Sequence, residues 1–152
     1  MIQPHRVLPD SHACFHPASS PDYVPQDQLR QLQSARLRQV VRRVYEHVEH
    51  FRQRMQRKGL KPDDIRGVED LPRLDFTVKA DLRDTYPFGL FASPMHEIVR
   101  LHASSGTTGK PIVVAYSQAD VDVWTSVIVR SLACYGLHRG DIIQNSYGYG
   151  LF

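Results

Sequence analysis

The apolar residues Leu37, Val41, Val44, Val48, Phe51 and Met55 recur at steps of four, three, four, three and four. That spacing is the repeat of one helix face, and it predicts a single long α-helix over about 27–58. Arg57 and Lys58 precede Gly59, so cations sit where the helix dipole favours them and a glycine is placed to stop the helix. Residues 1–26 hold five prolines and three histidines with no apolar period, which predicts a mobile lead-in with at most a short ordered contact. Beyond the helix, Pro62, Gly67 and Pro72 punctuate a loop with a short helical turn. Thr77 is placed to cap a short helix to about Tyr86, which Pro87 and Gly89 end.

A second regime begins near Glu97. Glu97–Ala103 and the β-branched run Ile112–Tyr116 read as strands. Ser117-Gln118-Ala119-Asp120 has the form of a capping box with Asp in the acceptor place. It opens a helix expected to bury Val121, Trp124, Ile128 and Leu132 and to stop at Gly136. Asp141–Ser146 reads as a further short strand. The expected fold class is therefore α/β, with a lead-in over 1–26, a helical region over 27–95 and an α/β region over 96–152. Two or three strands cannot bury both faces of a sheet, so the α/β unit reads as incomplete.

Composition narrows the classes. The chain has 152 residues, 41% hydrophobic and 23% charged, with a net charge of +3, which excludes collagen-like, disordered and disulfide-scaffold proteins. No apolar run has the ~18–20 residues of a membrane helix, so no membrane partner is expected. Cys14 and Cys134 form no metal or redox spacing, and a reduced, cytoplasmic protein is the expectation. Residues 29–58 carry nine basic and two acidic side chains. These flank an apolar stripe and accompany no nucleic-acid motif, so they read as a solvated face, with no nucleic-acid partner. His12, Cys14 and His16 alternate, but nothing holds that segment extended, and no metal site is assigned. The apolar stripe needs a partner, either the rest of a larger domain or a second subunit, which makes a homodimer one expected assembly.

The chemistry concentrates between the two strands, in Ser104-Ser105-Gly106-Thr107-Thr108-Gly109-Lys110-Pro111. Two glycines let the backbone turn with its N–H groups inward, four hydroxyls add neutral donors, and Lys110 adds charge. Such a loop suits phosphate oxygens. It is not a Walker A loop, which has four residues between its glycines and a hydroxyl after the lysine.

This run resembles the phosphate-binding loop of the adenylate-forming acyl- and aryl-CoA synthetases. With His102 upstream, Lys79-Ala-Asp-Leu-Arg83, Tyr86-Pro-Phe-Gly89 and the closing Ser146-Tyr-Gly-Tyr-Gly-Leu-Phe152, it resembles the phenylacetate–coenzyme A ligases from about Gln28 onward. The resemblance implies the start of that family's large domain and a two-step reaction of ATP, Mg²⁺, an aryl acid and coenzyme A, through an acyl adenylate. It places Ser104, Ser105, Gly106, Thr107, Thr108, Gly109 and Lys110 around ATP, and Tyr147, Gly148 and Phe152 along the aryl pocket. The family's ribose-binding acid, hinge and late catalytic lysine have no counterpart here. No catalytic residue is therefore assigned, and the 152-residue chain by itself is expected to be inactive. The alternatives are a non-catalytic nucleotide-binding or subunit-associating remnant, and a related adenylating enzyme for another aryl acid.

Overall fold

In the computed structural model, residues 17–104 and 111–146 are described. A 3-10 turn, Pro17–Tyr23, leads into α1 (Gln26–His47) and α2 (Glu49–Arg57). Further 3-10 turns at Pro62–Asp64 and Val68–Arg73 precede α3 (Lys79–Asp84). A hairpin of β1 (Ile98–Ser104) and β2 (Ile112–Ser117) follows, and then α4 (Gln118–Cys134).

The single helix expected over 27–58 is two. Val48 adopts an extended conformation, φ −113° and ψ 101°, between α1 and α2. The reason is tertiary. An unbroken helix would hold Val41 and Met55 about 21 Å apart along its axis, yet both belong to one buried cluster with Leu60 and Ile65. Leu37, Tyr45, Phe51 and Leu74 pack around that cluster. Arg52 closes the break, its guanidinium donating to the Tyr45 and Glu46 carbonyls at 3.2 and 3.1 Å, two acceptors that the interrupted ladder leaves free. Gly59 ends α2 at φ +67°, and the Leu60 N–H reaches back to the Met55 carbonyl at 2.9 Å, the C-terminal motif that favours glycine.

The basic helix surface is largely tied into the chain itself. Arg30 pairs with Glu69 and Arg42 with Asp63. Arg38 donates to the Arg66 carbonyl at 2.7 Å, and Arg43 to Ser93 Oγ at 2.6 Å. Arg54 binds Asp81 at 2.8 Å and the Phe76 carbonyl at 2.7 Å, while Lys58 pairs with Asp75. These contacts hang the loop over 61–93 on α1 and α2.

The short helix expected from Thr77 begins instead after Val78, whose N–H donates to Asp81 Oδ2 at 2.8 Å. Asp81 thus caps α3 and receives Arg54, so Lys79–Arg83 is a structural motif joining α3 to α2. In the next motif, a Cβ on Gly89 would lie 2.7 Å from the Thr85 carbonyl oxygen, which only glycine accommodates.

Four aspartates carry lowered pKa values. The N–H groups of Val78, Ser117 and Arg66 hold Asp81, Asp120 and Asp70 below the ordinary carboxylate range, and a Lys58 hydrogen bond does so for Asp75. The stability these groups contribute is complete above the unfolded value of about 3.9 and is lost as pH falls through the lower folded values. The urea midpoint is therefore expected to fall as the pH drops below about 4. Asp81→Asn should flatten that acid limb; an unchanged limb would show that Asp81 plays no part in it.

Two expectations for the α/β region fail. Asp141–Ser146 forms no strand, and Ile142 is 98% exposed, because neither β1 nor β2 pairs with it. The helix after Ser117 forms with its capping box, Ser117 N–H to Asp120 Oδ2 at 2.8 Å, and Gly136 ends it at φ +76°. It buries no residue fully, however. Trp124 and Ile128 are exposed, and Val121 and Leu132 are half-buried, since a two-stranded sheet is too narrow to cover the helix.

Candidate functional site

β1 and β2 run antiparallel, with Ser104 opposite Ile112 at the loop end and Leu101 opposite Ala115 further along. The sequence-predicted loop is therefore the connection of this hairpin, and both its ends are fixed by one cross-strand pair. Ser104 is the last residue of β1 and is exposed. Ser105, Gly106, Thr107, Thr108, Gly109 and Lys110 lie outside the described residues, as do Tyr147, Gly148 and Phe152.

The stem beneath the loop carries a feature that the residue pattern alone did not reveal. His102 and Tyr116 occupy diagonal positions on one sheet face, since His102 opposes Val114 and alternate residues share a face. Trp124 of α4 completes a three-ring cluster. Its ring stacks on Tyr116 at 5.3 Å between centroids and meets His102 edge-on at 5.7 Å, while the His102 and Tyr116 centroids are 5.2 Å apart. Such contacts add stabilisation beyond area burial, and here they clamp the hairpin to α4. Ser104, two residues after His102, shares its face. The signal was the alternation His102–Ser104 together with Tyr116 and Trp124 eight residues apart, but only strand register and helix packing bring the rings together.

One cleft adjoins this frame and another lies in the helical half of the chain. One, of about 340 Å³, lies between α1 and the sheet and is lined by Val40, Arg43, Leu82, Phe91, Val114 and Asp120 among others. The other, of about 240 Å³, is lined by Val48, Phe51, Arg54, Leu74 and Asp75 among others. The charged groups in both already have partners within the chain: Asp120 caps α4, Arg43 holds Ser93, and Arg54 holds Asp81. None is left as an obvious acid or base. Among the described residues no group of three His, Cys, Asp or Glu side chains could hold a metal. The His12, Cys14 and His16 trio lies outside them. No helix among the described residues is long and apolar enough to cross a membrane.

No protein-family model matches the chain. Individual proteins do. The chain is 53% identical over 129 residues to a phenylacetate-coenzyme A ligase of Thermus thermophilus, and 51% identical over 127 residues to one of Aromatoleum evansii. Over that stretch the chain is similar to phenylacetate-coenzyme A ligases. The matches cover 85% and 84% of the chain but 29% of each relative, so the chain spans less than a third of their length. An Escherichia coli phenylacetate-coenzyme A ligase is 48% identical over 126 residues. The fold agrees. A crystal structure of 2-hydroxyisobutyryl-CoA ligase, in complex with 2-HIB-AMP and CoA, superposes with a TM-score of 0.71 at 28% identity. It covers 78% of this chain and 26% of that chain. The same ligase in its postadenylation state gives a TM-score of 0.69 at 27% identity. The architecture is thus similar to part of that CoA ligase.

Proposed function

We propose that this chain is the part of an ATP-dependent phenylacetate–CoA ligase that supplies the phosphate-binding loop and one wall of the aryl pocket. In the first step the phenylacetate carboxylate attacks the α-phosphorus of ATP, forming phenylacetyl adenylate and releasing diphosphate. In the second, the thiol of coenzyme A attacks the acyl carbon, AMP leaves and phenylacetyl-CoA forms. The backbone N–H groups and hydroxyls of Ser104–Gly109, with the Lys110 ammonium, hold the β- and γ-phosphates so that the α-phosphorus faces the carboxylate in line. Tyr147 and Phe152 flank the aryl ring, and Gly148 leaves room for it to stack.

A magnesium ion, as a ligand of the triphosphate, would offset part of its charge. The oxygen donors this chain offers it are the loop hydroxyls of Ser104, Ser105, Thr107 and Thr108, which suit a hard cation that keeps most of its ligands as water and phosphate. The reaction belongs in the cytoplasm, where ATP and coenzyme A are found, and a homodimer is the assembly this reading favours.

The observation that carries the reading is the 48–53% identity to four phenylacetate-coenzyme A ligases over 83–85% of the chain. The rest of the active site belongs to the sequence those relatives have beyond the match. The purified 152-residue chain is accordingly expected to gain thermal stability with Mg·ATP, to lose that gain in Lys110→Ala, and to show no phenylacetate-dependent ATP–diphosphate exchange. Indifference of its melting temperature to Mg·ATP would count against the loop's role. Robust exchange by the chain alone would show that it holds a whole active site.

A further inference from the structure

Beside the loop, the side chain that anchors β1 is His102. Of the seven residues of β1 only Ile98 and His102 are half-buried, and the others are exposed. Pairing with β2 is irregular between Ile98 and Arg100 and regular from there to Ser104. His102 is thus the half-buried residue of the regular stretch, and it precedes Ser104 by about 7 Å along the strand. On the other side of the contact, Tyr116 and Trp124 belong to one continuous strand–helix unit, because Ser117 ends β2 and caps α4. An ion pair between Arg130 and Asp22 ties that helix to the first 3-10 turn. The His102 ring meets Trp124 and Tyr116 at interplanar angles of 67° and 64°, edge to face with both. Movement of β1 away from α4 breaks both contacts together.

We infer that His102 and Trp124 are positioning residues for the triphosphate: through β1 they fix where Ser104, and with it the start of the phosphate-binding loop, stands relative to β2. The inference deepens the proposed function and rests on its assignment of the loop to the phosphates. The physical reason is the composition of the loop. Gly106 and Gly109 give its backbone the freedom to wrap phosphate oxygens and deprive it of stiffness of its own. Ordering such a segment around a ligand costs conformational entropy, and that cost falls when its ends are held in place beforehand. Ser104 and Ile112 form the last pair of the ladder, the position where a hairpin stem opens first. A ring clamp two residues below that pair keeps it closed. Coupling of this kind is reciprocal, so phosphates bound in the loop must in turn tighten the ring cluster.

The test uses the 152-residue chain with Mg·ATP and with magnesium and inorganic triphosphate, which has no ring to stack on an indole. Trp124 is the single tryptophan of the chain, so its emission, excited where adenine does not absorb, reads the cluster directly. The expected result is a saturable change in emission with either ligand, lost in Lys110→Ala. By calorimetry, His102→Ala and Trp124→Ala should each weaken Mg·ATP binding about three- to tenfold, the worth of an aromatic contact. The double variant should be no weaker than the weaker single one, since the rings act as a unit. His102→Phe and Trp124→Phe should recover most of the affinity, and Val123→Ala, exposed beside the cluster, should match the parent. Affinities are compared where circular dichroism shows each variant folded. A clamp that serves stability alone would lower the melting temperature and leave the affinity of the folded chain unchanged, and that result would overturn the inference. So would emission that ignores saturating Mg·ATP. Emission that follows Mg·ATP but not triphosphate would place Trp124 against the adenine and overturn it as well. Should an alanine variant fail to fold, the parent's emission and the phenylalanine variants still decide. A parent chain that binds neither ligand removes the loop's role together with the clamp's, whereas ring variants that bind as the parent does remove the clamp's alone.

Discussion

Ile65→Ala is expected to lower the unfolding free energy of the isolated chain by about 2–5 kcal/mol, the range for truncating a fully buried aliphatic side chain. Ile65 is 0% exposed and sits in the one buried cluster among the described residues, with Val41, Met55 and Leu60. Domains of this size are stable by only about 5–15 kcal/mol, and this core is small. The loss therefore approaches the whole margin, and a substantial unfolded fraction is expected at room temperature. The cluster joins α1, α2 and the loop after Gly59, so the helical half should lose its cooperative transition. Val123→Ala is the matched control: the side chain is exposed, and its removal should change stability by no more than about 0.5 kcal/mol. Urea unfolding followed by circular dichroism measures both. Similar small changes for the two variants would show that the 41–65 cluster does not hold the chain together.

The second large effect is functional. In a hybrid in which this chain replaces the stretch it matches in the Thermus thermophilus ligase, Lys110→Ala is expected to reduce phenylacetate-dependent ATP–diphosphate exchange by about 100-fold, the lower end of what removing one preorganised donor to a charged transition state costs. Melting temperature should be unchanged, since the hairpin is held by its own ladder and by the His102–Tyr116–Trp124 rings. Lys110→Arg keeps the charge but presents a planar fork in place of a compact ammonium, so partial recovery is expected. Exchange at the parent rate in Lys110→Ala would remove the lysine from the account of phosphate binding.

What was legible in the sequence is what local chemistry decides. The stripe from Leu37 to Met55, the stop at Gly59, the capping box of Ser117 and Asp120 and the stop at Gly136 each depend on residues within one or two turns. The two glycine stops and the capping box appear where their patterns placed them, and the stripe is helical on both sides of Val48. The break at Val48 was not legible, because nothing local forbids a continuous helix there; the packing of Val41 and Met55 into one cluster requires it. Asp141–Ser146 failed as a strand because β-structure depends on a neighbour and no described strand supplies one. The exposure of Trp124 and Ile128 has the same origin: the periodicity marked the helix, but burial of its apolar side chains needs a wider sheet than the two described strands supply. The partners of Arg38, Arg42, Arg43 and Arg54 lie 21 to 50 residues away, so a run that reads as a bare basic face is mostly a set of internal ties. For the candidate site, the identity of the loop was carried by its residues, whereas the ring clamp beneath it follows from strand register, which the sequence does not display.

The most direct test of the central claim is ATP–diphosphate exchange by the hybrid Thermus thermophilus ligase carrying this chain, assayed with phenylacetate and, separately, with 2-hydroxyisobutyrate. Exchange that depends on phenylacetate, at a rate within about tenfold of the parent enzyme and absent with the aliphatic acid, is the expected result, a tenfold difference being only about 1.4 kcal/mol in the barrier. A folded hybrid with no phenylacetate-dependent exchange, or one that prefers the aliphatic acid, would contradict the assignment of this chain's loop and aromatic motif to a phenylacetate–CoA ligase.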